Sequence, residues 1–420
     1  MMNRRDLLRD LFDAAVQAAL PKHTIKEYLP DPPKGRTIVV GCGKAAATMA
    51  KAFEECWEHP LEGIVVTPYG HSVPTVRVKV VEASHPVPDS AGMQAALNIQ
   101  ALVTNLTPDD LVVFLVSGGG SSLLTLPAKG ISLDDKKILN TKLLQCGANI
   151  REMNCVRKHL SRIKGGRLAE TIWPAQCVTL AISDIPGDDL SVIASGPSEP
   201  DETTFEEALA ILSKYHIDEP RSIIEFLTSS NPETPKPGNP IFRRVNSHLI
   251  STPQRSLEAA ATAARQHGFT PLILGDAIEG EAREVARVLA GITKQVVRHG
   301  QPIPRPCVLL SGGETTVTVN GNGRGGRNAE FLLSLAIELN GLHGVWAFAG
   351  DTDGIDGTED NAGAFITPDS LKRAREIGLD AKRMLADNDG YSFFAKLDDL
   401  LITGPTLTNV NDFRAIVIDQ

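Results

Sequence analysis

Apolar positions along the chain follow two alternating rhythms. Near the start, Leu7, Leu8, Leu11, Phe12, Ala15 and Ala19 recur at helical spacing until Pro21 closes the run. Residues 30–35 read as a turn, and 37–40 as a buried strand followed by an alanine-rich helix through Phe53. Residues 63–67, 76–81, 111–116 and 178–182 are further strand-like runs. The run 111–116 is apolar throughout, as in parallel sheets whose two faces are both covered. Helical patterns separate these strands, including one over 203–214, so the first half alternates β and α.

The second half alternates again. Helices are predicted over 252–266, 279–298 and 328–339, and strands over 270–274, 308–310, 315–319, 345–349 and 413–418. Between the halves, Pro232, Pro235, Pro237 and Pro240 crowd the segment 231–240, which can sustain neither a helix nor a central strand. That segment is either a linker or a stiff surface loop within one domain. The expected class is α/β: two α/β/α Rossmann-like domains with mostly parallel sheets, residues 1–240 and 241–420.

Three strand-like runs end in glycine turns: Gly41-Cys42-Gly43-Lys44, Ser117-Gly118-Gly119-Gly120-Ser121-Ser122 and Ser311-Gly312-Gly313-Glu314-Thr315-Thr316. Such turns bring bare backbone N–H groups to the carboxyl ends of strands, where an open α/β sheet gathers ligands. Three in one chain, one with a lysine, suggest a large phosphorylated ligand held by backbone and cations. The first turn matches neither the dinucleotide fingerprint, because Ala46 stands at the third glycine position, nor the P-loop.

Composition narrows the field. A length of 420 residues suits two domains. Net charge −9 argues against nucleic acid as a partner, since phosphate backbones need a broad basic surface. No apolar stretch is long enough to span a membrane, and residues 1–10 carry no secretory h-region. Six cysteines without a C-x-x-C pair point to incidental thiols in a reducing cytoplasm.

Several groups could do chemistry. Lys44 at a helix N-terminus would be a point charge on a phosphate or carboxylate, or else a solvated first-turn residue. His85, in a proline-stiffened loop, could touch substrate; that loop could equally be a turn with Asp89 or Ser90 as a helix cap. Arg157, Ser161 and Lys164 are expected on one helical face in a basic stretch with few acidic neighbours, which favours an anion pocket over a solvated face. Asp184 at a strand end could serve as general base or hold Mg2+. Arg324 and Arg327 offer planar forks for phosphoryl oxygens. Asp351 and Asp353 fail the EF-hand spacing but could orient Mg2+ or a substrate hydroxyl, although turn chemistry alone also favours them. Neither a nucleophile elbow nor a zinc-protease motif is present.

The ordered set of motifs resembles a known family. It runs through the Lys44 turn, Ser84-His85-Pro86-Val87-Pro88-Asp89, the Ser117 turn, Asn154 to Ser161, Ser183-Asp184-Ile185-Pro186-Gly187-Asp188 and Ser195-Gly196-Pro197. It continues through the Ser311 turn, Gly325-Gly326-Arg327-Asn328 and Asp351 to Gly357. The chain is similar throughout to ATP-dependent glycerate 2-kinases, whose C-terminal part, here about 305–415, is called MOFRL. The resemblance implies an active site in a cleft between two domains and Mg-ATP-dependent phosphorylation of the 2-hydroxyl of D-glycerate. It implies Lys44, Asp184 and Arg324 as catalytic groups and Asp184, Asp351 and Asp353 at the metal. Gly43, His85, Ser117, Gly118, Gly119, Gly120, Ser121, Arg157, Lys164, Gly313, Glu314, Thr315, Arg327 and Asn328 would bind substrate or ATP. It leaves room for a homodimer. The runner-up is an NAD(P)H-dependent hydroxypyruvate reductase, a label members of this family have also carried.

Overall fold

Hydrophobic runs become sheet strands in both halves of the computed structural model, which describes residues 3–229 and 232–419. Two compact units form. One comprises residues 24–183 and 188–250; the other takes the stretch up to His23, residues 184–187 and the chain from Ser251 onward.

The first unit is built on β1 (Thr37–Cys42), β2 (Glu62–Pro68), β3 (Val78–Ala83), β4 (Leu111–Val116), β5 (Gln176–Ile182) and β6 (Val245–Ser251). Among the described residues these lie in the order β3-β2-β1-β4-β5-β6. Every pairing from β3 through β5 is parallel. β1 and β4 are buried at every residue, as central strands covered by helices must be.

The second unit carries β7 (Thr270–Gly275), β8 (Gly280–Glu281), β9 (Cys307–Gly313), β10 (Thr315–Thr316), β11 (Val345–Asp351), β12 (Gly363–Ile366), β13 (Leu400–Leu401) and β14 (Asp412–Ile418). Its main sheet runs β13-β12-β11-β14-β9-β7, and β8 and β10 form a separate ribbon. The expectation of mostly parallel sheets fails here. In the main sheet β11–β12, β11–β14, β12–β13 and β14–β9 are antiparallel and β7–β9 is parallel, as is the β8–β10 ribbon. The link from β11 to β12 lacks a helix, so the chain returns antiparallel; a parallel return needs a crossover of about a dozen residues or more, usually helical. β14 then enters between β9 and β11. A strand buried on every residue, as β14 is, reads the same in either direction.

The division between units does not fall at residue 240. The first helix, Arg4–Ala19, completes the core of the second unit: Leu8, Leu11 and Phe12 pack with Leu257, Ala260, Phe348 and Phe413. Phe12 lies 4.9 Å from Phe348, ring centre to ring centre. The proline-rich segment belongs to the first unit and is pinned there, because Thr234 Oγ1 donates to Asp201 at 3.0 Å and the Asp201 N–H donates to the Pro235 carbonyl at 3.0 Å. Asn231 lies outside the described residues. The strand expected over 315–319 shrinks to β10, and the helix expected from residue 279 begins at Ala282, because β8 and β10 pair.

Candidate active site

In the first unit, sheet-building runs outward from β1 through β2 to β3 and, in the other direction, from β4 to β5. β1 and β4 therefore flank the reversal of strand order, whose carboxyl side is the usual ligand crevice of such sheets. The first two glycine turns leave from these strands.

They are fastened to each other. The Lys44 N–H donates to the Gly118 carbonyl at 2.8 Å, and the Ala45 N–H donates to Ser117 Oγ at 3.0 Å. Gly43 has φ +128°, and a Cβ there would lie 2.2 Å from Ser117 Oγ. Gly119 has φ +78°; a Cβ there would lie 2.9 Å from the His85 ring and 3.5 Å from Lys44 Cγ. Glycine is thus required where the turns meet, and His85 and the half-buried Lys44 both stand at Gly119.

Beside this junction lies a cavity of about 280 Å3. Its walls include His85, Pro86, Val87, Gly119, Ser121, Ser122, Asn140 and Leu144, with Lys136, Arg157 and Lys164 as cations. Lys136 and Lys164 are 4% and 1% exposed. Lys136 Nζ donates to the Leu160 carbonyl at 3.4 Å, and Arg157 Nε to Asn140 Oδ1 at 3.1 Å. Lys164 Nζ donates to the Ser121 carbonyl at 2.7 Å and to the Ala194 carbonyl at 3.3 Å. Burial, reinforced by Arg157, pushes the Lys136 ammonium down to about 7. Burial, with Lys136 and Arg157 adding to it, also pulls Lys164 well below the usual lysine value.

Arg157 and Lys164 do line one cavity, but not through a shared helical face. The helix Ile150–His159 ends before Ser161, and Gly165 and Gly166 follow at φ +57° and +80°. Ser161 is turned away, donating to the Leu126 carbonyl at 3.3 Å. The expected lack of acidic neighbours fails for Lys158, which pairs with Asp201 at 3.2 Å, a partner distant in sequence.

In the second unit Arg327 is the hub. Its guanidinium meets Asp412 at 2.6 Å, Asp351 at 2.7 Å and Glu314 at 2.9 Å. Burial opposes the charge, yet these three carboxylates hold Arg327 well above the usual arginine value. Asp412 also receives the buried Arg414, the Thr315 N–H at 3.1 Å and Asn328 Nδ2 at 2.8 Å. Burial opposes ionisation of Asp412, but Arg327 and Arg414 keep its carboxyl below the ordinary range. Asp356 accepts from the Asn328 and Ala329 N–H groups at 2.9 and 2.8 Å, and burial raises it to about 6. Gly313, φ +122°, closes β9 where a Cβ would strike the Ile278 backbone.

Arg324 stands apart from this hub: it pairs with Glu359 and lies 4.4 Å over the Tyr391 ring, with 61% of its side chain exposed. Asp353 accepts from the Ile355 N–H at 2.9 Å and donates its own N–H to Asp351 at 3.1 Å. Asp184 accepts from Asn409 Nδ2 at 3.2 Å, while Asn411 binds its carbonyl. Among the described residues no group of three or more His, Cys, Asp or Glu is arranged to hold a metal ion.

Residues 7–228 match the family described as "Domain of unknown function (DUF4147)", and residues 307–412 match the MOFRL family. A D-glycerate 2-kinase of Thermotoga maritima is 43% identical, covering 97% of this chain and 97% of its own. This chain belongs to the glycerate 2-kinase family. The crystal structure of a Thermotoga maritima glycerate kinase superposes with a TM-score of 0.89 at 42% identity, over 99% of each chain. A protein of Agrobacterium vitis named "Putative hydroxypyruvate reductase" is 54% identical over 99% of this chain and 95% of its own.

Within this glycerate 2-kinase fold, sequence reasoning missed Lys136, Asp412 and Arg414. Lys136 sits in Asp134-Asp135-Lys136-Lys137, which reads as a solvated helix start. A signal existed: Lys136, Leu139 and Leu143 fall on one stripe, and all three are buried. Asp412 and Arg414 alternate with Phe413 on β14 and carry no motif.

Proposed function

We propose that this chain transfers the γ-phosphoryl group of ATP to the 2-hydroxyl of D-glycerate, yielding ADP and 2-phospho-D-glycerate. The near-full-length match to the Thermotoga maritima D-glycerate 2-kinase carries the reading. The paired glycine turns beside Lys44 give it chemical content, since phosphoryl transfer asks mainly for positioning and charge stabilisation.

A bond forms between the acceptor O2 and Pγ, the bond from Pγ to the bridging oxygen breaks, and the hydroxyl proton passes to a carboxylate. Lys44 stabilises the transferring group. Amides of Gly118 and Gly119 cradle phosphate oxygens, while the Gly120 N–H, donated to the Ser117 carbonyl at 3.3 Å, fixes their turn. Asp184, oriented by Asn409, is the proposed proton acceptor. Arg324 is the proposed phosphate-facing cation of the second unit, which requires its release from Glu359. Arg327 and Asn328 instead hold the Glu314, Asp351 and Asp412 cluster in shape.

Mg2+ would neutralise phosphate charge. Asp184, Asp351 and Asp353 supply the oxygen donors that suit it. Asp351 is already engaged by Arg327, so the set fits a cation that arrives chelated by ATP and adds one or two carboxylates. The six cysteines are free thiols, which suits a reducing cytoplasm. No helix among the described residues is long and apolar enough to cross a membrane. A homodimer completes the proposal, and sedimentation equilibrium reads it.

The deciding assay supplies Mg-ATP and D-glycerate, follows ADP and identifies the phosphoglycerate isomer. Formation of 2-phospho-D-glycerate is expected. The hydroxypyruvate reductase name borne by Agrobacterium vitis relatives supplies the competing outcome: NADH oxidation by hydroxypyruvate without ATP would overturn the kinase reading.

A further inference from the structure

Four basic side chains line the cavity beside Gly119; Lys137 pairs with Asp134 at 3.6 Å, while among the described residues no carboxylate forms an ion pair with Lys136, Arg157 or Lys164. Their partners are neutral: the Leu160, Ser121 and Ala194 carbonyls and the Asn140 amide oxygen. Like charges gathered out of water are costly unless an anion answers them. For Lys158, in the same basic stretch, the chain supplies that anion itself through Asp201 at 3.2 Å. Here burial instead lowers both lysines, and an anionic ligand would supply the countercharge that holds them protonated.

The size and walls of the cavity say which ligand. About 280 Å3 falls below the roughly 300 Å3 at which pockets for drug-sized ligands begin. A cavity near the lower end of that range suits a three-carbon acid. Pro86, Val87 and Leu144 give apolar walls, while the hydroxyls of Ser121, Ser122 and Thr125 are bonded within the chain and fix the polar wall. Gly119 borders the cavity and also stands against the Lys44 stem, so a small acid seated there lies beside the proposed phosphoryl-stabilising lysine.

We propose that the Lys136–Arg157–Lys164 cavity seats the carboxylate of the acceptor, and that Lys136 is what selects a 2-hydroxy acid over a neutral polyol. The proposal rests on the kinase reading for the identity of the acceptor, and it assigns Lys136 a binding role.

The test is Lys136→Met, which keeps the stem and removes the charge, beside Lys136→Arg, which restores it. KM for D-glycerate should rise about 10- to 100-fold in the methionine variant, the loss expected for one hydrogen bond to a charged group. KM for ATP should stay within about twofold, and the arginine variant should recover part of the loss. Isothermal titration of D-glycerate and of glycerol into the protein, with and without ADP, is independent of turnover. Binding of D-glycerate but not glycerol, weakened in Lys136→Met at unchanged melting temperature, supports the site. Unaltered D-glycerate affinity in that variant, no D-glycerate binding to the parent protein, or a raised KM for ATP alone overturns it. Failure of the kinase reading shows separately, as D-glycerate binding without phosphoglycerate formation.

Discussion

The backbone N–H of Lys44 points into the carbonyl of Gly118 at 2.8 Å. This bond locks the turn after β1 onto the turn after β4, so the direction of the Lys44 side chain is set by two backbones. Lys44→Ala leaves that bond in place and removes only the charge and its stem. Turnover should fall at least ~100-fold, the scale of losing one preorganised charge stabiliser. The melting temperature should move by less than about 4 °C, the shift that ~1 kcal/mol produces in a domain of this size. Near-normal turnover in this variant removes Lys44 from the chemistry.

The glycines at this junction separate steric need from backbone freedom. A Cβ on Gly43 would sit 2.2 Å from Ser117 Oγ and 2.5 Å from the Ser117 carbonyl, at φ +128°. At Gly130, φ +87°, a Cβ would meet nothing within 4 Å. Gly130→Ala should cost about 1–2 kcal/mol, from the left-handed backbone alone. Gly43→Ala carries backbone strain of about 1–3 kcal/mol and a further ~1–3 kcal/mol from overpacking. Guanidinium unfolding midpoints compare the two. Equal midpoints would show that the turns are not tightly interlocked.

Much of this architecture was legible in the chain. The run 111–116 reads directly as β4, because uninterrupted apolar character is what a strand covered on both faces requires. Gly43, Gly119 and Lys44 are legible for a similar reason: glycine where two turns touch has no substitute, and the chain spells it out. The direction of β14 was not legible, since burial at every residue is identical for parallel and antiparallel neighbours. Ser161 was misplaced because helical spacing was carried past Leu160, while Gly165 and Gly166 turn the chain and bring Lys164 to the cavity by another route. Lys136 hid because charge at a helix start is normally solvated, and only its tertiary setting buries it. Arg327 and Asp412 meet across 85 positions of sequence, a pairing that no local pattern encodes.

Acceptor binding should depend on pH through Lys136. Burial and the adjacent Arg157 lower its ammonium to about 7 in the folded chain. The other charged groups facing it are Lys164 and Lys137, with the His85 ring on the same cavity. The cavity needs the protonated form to attract a carboxylate, so binding is favoured below that value and weakens as pH rises through it. KM for D-glycerate should increase up to about tenfold per pH unit above ~7 and level off below it. In Lys136→Arg, whose guanidinium stays protonated, the rise should disappear. A KM profile that is flat from pH 6 to 9 in the parent enzyme contradicts this role.

Asp412 carries the heaviest electrostatic duty in the second unit, because Arg327 and Arg414 both rely on it. Arg414 is 1% exposed, and truncation to Asp412→Ala leaves it buried without its carboxylate. Such a loss is worth about 3–5 kcal/mol. Asp412→Asn, which keeps an oxygen for Arg327 or Thr315, should cost less. The sign of the pH dependence follows from the depressed carboxyl of Asp412: its contribution is full above the unfolded value of 3.8 and fades as pH falls through the lower folded value. Asp356 acts oppositely, since its raised value of about 6 makes its ionisation a cost that grows between about pH 4 and 6. The stability gap between the parent and Asp412→Ala should therefore be widest near pH 7 and narrow towards pH 3, as read from urea unfolding at both pH values. A gap that stays constant across this range would mean that the arginines are held by packing rather than by the Asp412 charge.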